Sequence, residues 1–392
     1  MNTLFDSSRL KLEDALELTK QSLNAYSKNY DYWAIAYSGG KDSSATVAAV
    51  SWLIETKQVK APKKLFVLYA DTRQELPPLH ASAMKMLEVL KARGVETKIV
   101  LPEMDKRFMV YMLGRGVPPP NNGTLRWCTG QIKVTPMLNA LEQLRAETGK
   151  KLLMLTGVRI GESAARDQRI SVSCSKDGAE CGQGWFQQAS SDAIADTLAP
   201  LLHWRVCHVW DWLMGFGENH GLPTEDVATA YGGDEAEEAN ARTGCIGCPL
   251  TDKDQALDLL LEMPEWEYLN SLKRLKPLYR ELRLPSNRLR KIAERNKDGN
   301  LSKAPDRMGP LTMQARKIAL KRISHIQHNC NVKAVEQNRP IVNILNEEEY
   351  NRILELHDLN TWPNKWTGLE PRADKPHIPT LETALGNRFL FE

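Results

Sequence analysis

Six residues, Ser38-Gly39-Gly40-Lys41-Asp42-Ser43, stand between the apolar run Tyr32–Tyr37 and a helix-forming segment, residues 44–54. A strand, a two-glycine turn and a helix start aim backbone N–H groups and the positive end of a helix dipole at one point, which suits a phosphate. Gly39 and Gly40 let the main chain approach the anion, Lys41 adds a point charge, and the hydroxyls of Ser38, Ser43 and Ser44 can donate to its oxygens. The spacing is not that of a Walker A loop, which places a longer spacer between its first glycine and a Gly-Lys-Ser/Thr ending. Further down the chain, Asp71 and Thr72 follow a second apolar run, where they could bind Mg²⁺ or a nucleotide ribose, or cap the helix that comes next. Cys128 lies between Arg126 and Lys133, so it is either a thiolate stabilised by positive charge, fit for sulfur transfer or nucleophilic attack, or a half-buried thiol beside Trp127. After the turn at Gly157, Arg159 and Arg166 could clamp phosphate charge or sit on a solvated helix face. Cys245 and Cys248 form a Cys-x-x-Cys pair, and Cys174 and Cys181 fall in a segment rich in Ser, Gly and Gln.

These residues need elements to hold them. Apolar runs at 32–37, 64–71, 96–101 and 152–157 alternate with helical patterns at about 77–93 and 135–148, which predicts a parallel sheet covered on both faces with ligands at its strand ends. An amphipathic helix is expected from about Arg9 to Lys28. Residues 162–188 are poor in aliphatics and read as a loop rather than a regular element. Beyond Leu250 the alternation stops and helical segments dominate, ending in a stretch with Trp362 and Trp366 that reads as an irregular tail docked by its tryptophans. The expected domains are an N-terminal helix at 1–29, a nucleotide-binding domain at 30–250 and a basic, mainly helical domain at 251–392.

Composition narrows the class. Hydrophobic content of 42% and charged content of 26% are ordinary for a globular protein, and a net charge of +3 decides nothing by itself. No basic, apolar leader opens the chain and no run of about 18 apolar residues occurs, so a cytoplasmic protein with no membrane partner is expected. Seven cysteines in such a chain are better read as metal ligands or reactive thiols than as a disulfide framework. From Ser271 to His325 there are sixteen Lys/Arg against four Asp/Glu. That density suits the backbone of a polyanion such as DNA, or a solvated face.

Taken in order, Ser38–Ser43, Asp71-Thr72 with Glu75, Arg126–Thr129, Gly157–Arg159 with Glu162, Ser163 and Arg166, and Gly244–Cys248 resemble one branch of the PP-loop ATP pyrophosphatases. It is the branch similar to phosphoadenosine phosphosulfate reductase, and within it the likeness is to the DndC/SspD group of bacterial DNA phosphorothioation proteins. The resemblance covers roughly residues 30–260. It implies a Rossmann-like α/β fold of the adenine nucleotide α-hydrolase type with a helical C-terminal domain. It also implies ATP and Mg²⁺ at Ser38–Ser43, Asp71, Thr72 and Gly157, with Lys41, Asp42, Cys128, Arg159 and Arg166 serving the chemistry. The reaction would be adenylation of a DNA backbone phosphate with loss of pyrophosphate, followed by displacement of AMP by sulfur from a cysteine desulfurase, in concert with other phosphorothioation proteins. The group carries a [4Fe-4S] cluster on four cysteines near the terminal Cys-x-x-Cys. Here the loop 231–242 has no cysteine, so Cys174 and Cys181 are the candidates to join Cys245 and Cys248, with Cys128 and Cys207 in reserve, and Zn²⁺ is the alternative occupant. Sulfonucleotide reduction, tRNA thiolation and a non-enzymatic role as a nucleotide-gated DNA-binding subunit of a defence complex are the competing functions.

Overall fold

The computed structural model describes residues 10–162, 164, 167–168, 170, 179–180, 184–190, 192–231, 245–376, 381–382 and 388–389. It divides into two compact units: residues 1–102, 133–244 and 255–264 form the first, and 103–132, 245–254 and 265–392 the second. This differs from the sequential boundaries expected at 29/30 and 250/251. The N-terminal helix belongs to the first unit, and two excursions from the nucleotide-binding region, 103–132 and 245–254, belong to the second. Chain order cannot reveal such interleaving, because each excursion is locally an ordinary connection. Among the described residues no helix is long and apolar enough to cross a membrane.

The first unit is built on a seven-stranded sheet. Its strands are β1 (Tyr32–Tyr37), β2 (Lys64–Ala70), β3 (Glu96–Val100), β4 (Leu152–Leu155), β5 (Ala179–Glu180), β6 (Trp185–Gln187) and β7 (Ala195–Ala199), in the spatial order β3-β2-β1-β4-β7-β6-β5. The pairs joining β3, β2, β1, β4 and β7 are parallel, and β6 and β5 continue the sheet antiparallel. Helices α1 (Leu12–Tyr26), α2 (Lys41–Glu55), α3 (Pro77–Ala92) and α4 (Thr135–Thr148) fall where the apolar periodicity places them. The register sets Tyr37 beside Tyr69 and Ile35 beside Leu155, so the ends of β1, β2 and β4 come level at one edge. Beneath α4, Ala34, Phe66, Leu68, Val100, Leu141, Leu144 and Leu152 form a buried cluster. Burial of a Leu or Phe side chain of this kind contributes about 1.5–3 kcal/mol. α2 is buried along most of its length, from Ser43 to Leu53, which fixes the direction of its N-terminus. β5, β6 and β7 were not anticipated. They are two to five residues long, and β5 and β6 lie in the stretch read as a loop; short strands of mixed composition are specified by the neighbours they pair with rather than by their own pattern.

In the second unit, helices α9 (Met313–Glu336) and α10 (Glu347–Asp358) pack against a π-helical turn, Val110–Gly114, and α8 (Leu275–Leu282) packs on α9; short helices α5 (Val206–Asp211), α6 (Glu225–Ala230) and α7 (Gln255–Glu262) complete the first unit. Thr312 caps α9 by accepting the Ala315 N–H, and Asn346 caps α10 by accepting that of Glu349. A strand pair, β8 (Arg288–Arg290) with β9 (Met308–Leu311), interrupts the helical region. The two tryptophans do dock the C-terminal segment: Trp366 lies between Lys291 and Arg307, 4.7 and 4.9 Å from its ring, and Trp362 faces Arg316 at 5.2 Å.

Candidate nucleotide site and cysteine turn

The turn after β1 folds on its own side chains. Ser43 Oγ accepts the Ser38 N–H at 3.2 Å and donates to the Gly40 carbonyl at 2.9 Å, while Gly39 takes φ +75°, the left-handed region that favours glycine. Gly40 is the N-cap of α2 and no side chain of its own caps the helix. The first intrahelical bond runs from Ser44 N to Gly40 O, so the N–H groups of residues 40–43 have no intrahelical acceptor. The result is a pre-formed ring of donors at the start of a fifteen-residue helix.

A second strand holds that turn. A Cβ added at Gly157, after β4, would lie 2.8 Å from the Asp42 carbonyl oxygen, so only glycine permits this approach. Arg159 is 2% exposed; its Nε donates to Asp42 Oδ1 at 2.6 Å and its Nη1 to the Trp204 carbonyl at 3.1 Å. Asp42 Oδ2 faces Lys41 Nζ at 3.3 Å. Arg159 was expected either to clamp phosphate charge or to sit on a solvated helix face; it is buried, and these bonds make it position Asp42 and the first turn of α2. Arg166 and Ser163 lie outside the described residues.

At the end of β2, Asp71 and Thr72 are buried and serve the turn. Asp71 Oδ1 accepts the Arg73 N–H at 2.9 Å, and Glu75 accepts from Thr72 through both its N–H (3.2 Å) and its hydroxyl (2.5 Å). Arg73 takes φ +60° and pairs with Asp71 at 3.4 Å. The helix that follows has Leu76 as its N-cap, without a side-chain cap, so Asp71 and Thr72 close the turn rather than cap α3. Burial raises the Glu75 carboxyl above the usual range, and the nearby Lys133 ammonium opposes that shift. Glu75 is a residue whose part in the turn was not anticipated.

The cysteines of the second unit have a different setting. Cys248 N donates to Cys245 O at 3.0 Å, and Gly247 N to Asp254 Oδ2 at 3.0 Å, closing the Cys-x-x-Cys turn. Helix α8 and the residue that follows it send three cations to the chain beyond the turn. Lys276 donates to Thr251 O (3.0 Å), Arg280 to Asp252 O (2.9 Å), and Arg283 to Pro249 O (3.1 Å) and Pro120 O. Tyr279 is fully buried, its hydroxyl has no hydrogen-bond partner in the described structure, and burial with the neighbouring Cys245 and Cys248 pushes its pKa up. Cys128 is half-buried; burial first, and Cys248 among lesser causes, raise its thiol, opposed by the Thr129 hydrogen bonds. Of the two readings of Cys128, the half-burial and the direction of this shift favour the thiol beside Trp127, whose ring packs on Phe108 and Tyr111.

Cys174 and Cys181 lie outside the described residues. Cys207 is half-buried on α5, and Cys330 is buried on α9 with its thiol pushed up to about 11. Among the described residues no three His, Cys, Asp or Glu side chains stand close enough to hold a metal ion. Asp42 engages Arg159 and Lys41, and Asp71 engages the Arg73 N–H and side chain. The cysteines and carboxylates described thus do not by themselves make a metal site.

The basic stretch also divides. Lys276 and Arg316 are buried, and Arg283 and Arg288 spend their donors on carbonyls. Arg316 bonds Leu113 O, Gly114 O and Thr361 O. Lys273, Arg274, Lys317 and Lys321 remain exposed.

Residues 33–221 match the family model described as the phosphoadenosine phosphosulfate reductase domain. No curated protein matches the chain at a significant level. Among solved structures, the phosphoadenylyl-sulfate reductase of Candida auris in its phosphate complex aligns at 14% identity over 61% of this chain and 97% of that one, with a TM-score of 0.34. The U34-tRNA thiolase NcsA of Methanococcus maripaludis, with its [4Fe-4S] cluster, aligns at 15% identity over 70% and 82%, with a TM-score of 0.35. The FMN adenylyltransferase of Candida glabrata in complex with FMN and the ATP analogue AMPCPP aligns at 16% identity over 53% and 61%, with a TM-score of 0.30. With Ser38–Ser43 at the end of its first strand and Gly157 and Arg159 beyond its fourth, the stretch 33–221 is similar to the phosphoadenosine phosphosulfate reductase domain, and its mostly parallel sheet with flanking helices is a Rossmann-like fold.

Proposed function

We propose that the chain is an ATP pyrophosphatase that adenylates a DNA backbone phosphate for sulfur insertion. The observation that carries this reading is the ring of uncapped amides at residues 40–43, pre-folded by Ser43 and held by Gly157 and Arg159. Donors fixed before the ligand arrives need no reorganisation as charge builds on a leaving pyrophosphate. The amides and Lys41 hold the β and γ phosphates of ATP. An oxygen of the acceptor phosphate attacks the α phosphorus, the bond to the β-phosphate oxygen breaks, and pyrophosphate leaves with the electron pair. A sulfur nucleophile supplied through a cysteine desulfurase then bonds to the acceptor phosphorus as AMP departs. Mg²⁺ would offset phosphate charge, and a [4Fe-4S] cluster or Zn²⁺ would bind sulfur; no step is assigned to either. Exposed Lys273, Arg274, Lys317 and Lys321 favour a polyanionic acceptor.

The match of residues 33–221 favours a second reading, reduction of a sulfonucleotide by the same domain. Pyrophosphate release from ATP, measured with DNA, tRNA or phosphoadenylyl sulfate as the added substrate, tests both. Stimulation by DNA, with DNA affinity that falls steeply as salt rises, supports the first; sulfite formation from phosphoadenylyl sulfate without ATP cleavage replaces it with the second.

A further inference from the structure

Tyr231, just past α6, carries no sequence motif, yet it reaches the nucleotide turn. It is 4% exposed, and its hydroxyl oxygen accepts the Lys41 main-chain N–H at 3.2 Å. The Lys41 ammonium lies 5.3 Å from the centre of the same ring, and Trp210 on α5 meets that ring edge-on at 5.3 Å. One aromatic side chain thus engages both the amide and the cation that Lys41 would offer to a phosphate. An N–H makes one well-aligned hydrogen bond at a time, so a phosphate oxygen and the Tyr231 hydroxyl compete for this one. A charged acceptor forms the stronger bond, which sets the direction of exchange.

We infer that Tyr231 is a stand-in for phosphate: its hydroxyl and ring hold the Lys41 amide and ammonium, and a polyphosphate displaces the hydroxyl from that amide. The inference rests on reading Ser38–Ser43 as the ATP seat. Its consequence is unusual in sign, because removing a hydrogen-bonding hydroxyl from the site improves binding. Tyr231→Phe keeps the ring and its Trp210 contact and removes only the competing oxygen.

Calorimetric titration with pyrophosphate, in wild type and Tyr231→Phe, tests it. The expected result is a Kd lower in the variant by about 3- to 10-fold, the worth of one net hydrogen bond. An equal or higher Kd in a variant with wild-type melting behaviour overturns the inference and leaves the seat standing. Wild-type protein that binds neither pyrophosphate nor ATP overturns the seat and the inference together. A second measurement needs no variant: nitration of Tyr231 by tetranitromethane, mapped by mass spectrometry, should be slow in anion-free protein and several-fold faster with saturating pyrophosphate. Protection of Tyr231 by pyrophosphate would overturn the displacement.

Discussion

The nucleotide turn at Ser38–Ser43 and the cysteine turn at Cys245–Cys248 are both short motifs on tight bends, but they spend their polar groups in opposite ways. In the first, hydroxyls and a glycine shape the backbone and leave the amides of residues 40–43 without intrahelical acceptors, that of Lys41 donating to the Tyr231 hydroxyl. In the second, the cations of α8 and Arg283 are consumed by the carbonyls of residues 249–252, and burial pushes the neighbouring Cys128 thiol up. Pre-organised donors outside the helix ladder mark a ligand seat; donors spent on main-chain carbonyls mark a scaffold, and chemistry there waits on whatever binds the thiols.

The sharpest way to break this contrast is at Arg159. Arg159→Met strips Asp42 of its buried partner, and the expected loss of about 3–5 kcal/mol of stability, read by chemical denaturation, should come with lost ATP binding. A variant that melts like wild type would show that the turn stands without the arginine. Lys41→Ala should lower the rate of pyrophosphate release about 10²- to 10³-fold with a smaller loss of stability than Arg159→Met, since its ammonium contacts only Asp42 and the Tyr231 ring among the described contacts. Gly157→Ala forces a Cβ against the Asp42 carbonyl, and a cost of about 1–3 kcal/mol together with weaker ATP binding is expected. At the cysteine turn the effects are smaller. Tyr279→Phe removes a buried hydroxyl without a hydrogen-bond partner in the described structure, so stability should be unchanged or higher; a loss of more than about 1 kcal/mol would reveal a partner.

The pH response sharpens the comparison further. Because burial raises the Cys128 thiol, its alkylation by iodoacetamide should reach half-maximal rate above the ordinary thiol value of about 8.5. The same shift means that the stability tied to the neutral thiol is complete below the ordinary thiol pKa and is lost as pH rises through the raised one. A midpoint below the ordinary value would restore Cys128 as a stabilised thiolate.

What could be read from the chain alone was local. The apolar runs 32–37, 64–71, 96–101 and 152–157, the helices between them and the hexapeptide at Ser38 are continuous signals, because a strand, a helix start and a phosphate turn each need their residues in one short stretch. The tertiary structure decided what those residues are free to do. Arg159 read equally as a clamp or an exposed cation until folding buried it against Asp42 and the Trp204 carbonyl, and part of a basic stretch turned inward to bond carbonyls. Tyr231 stands 190 residues from its partner at Lys41. β7 exists because β4 lies beside it, and the excursions 103–132 and 245–254 join a unit that chain order does not announce. A side chain's type fixes which bonds it can make, whereas burial and neighbours fix which bonds remain to be made, and only folding supplies those.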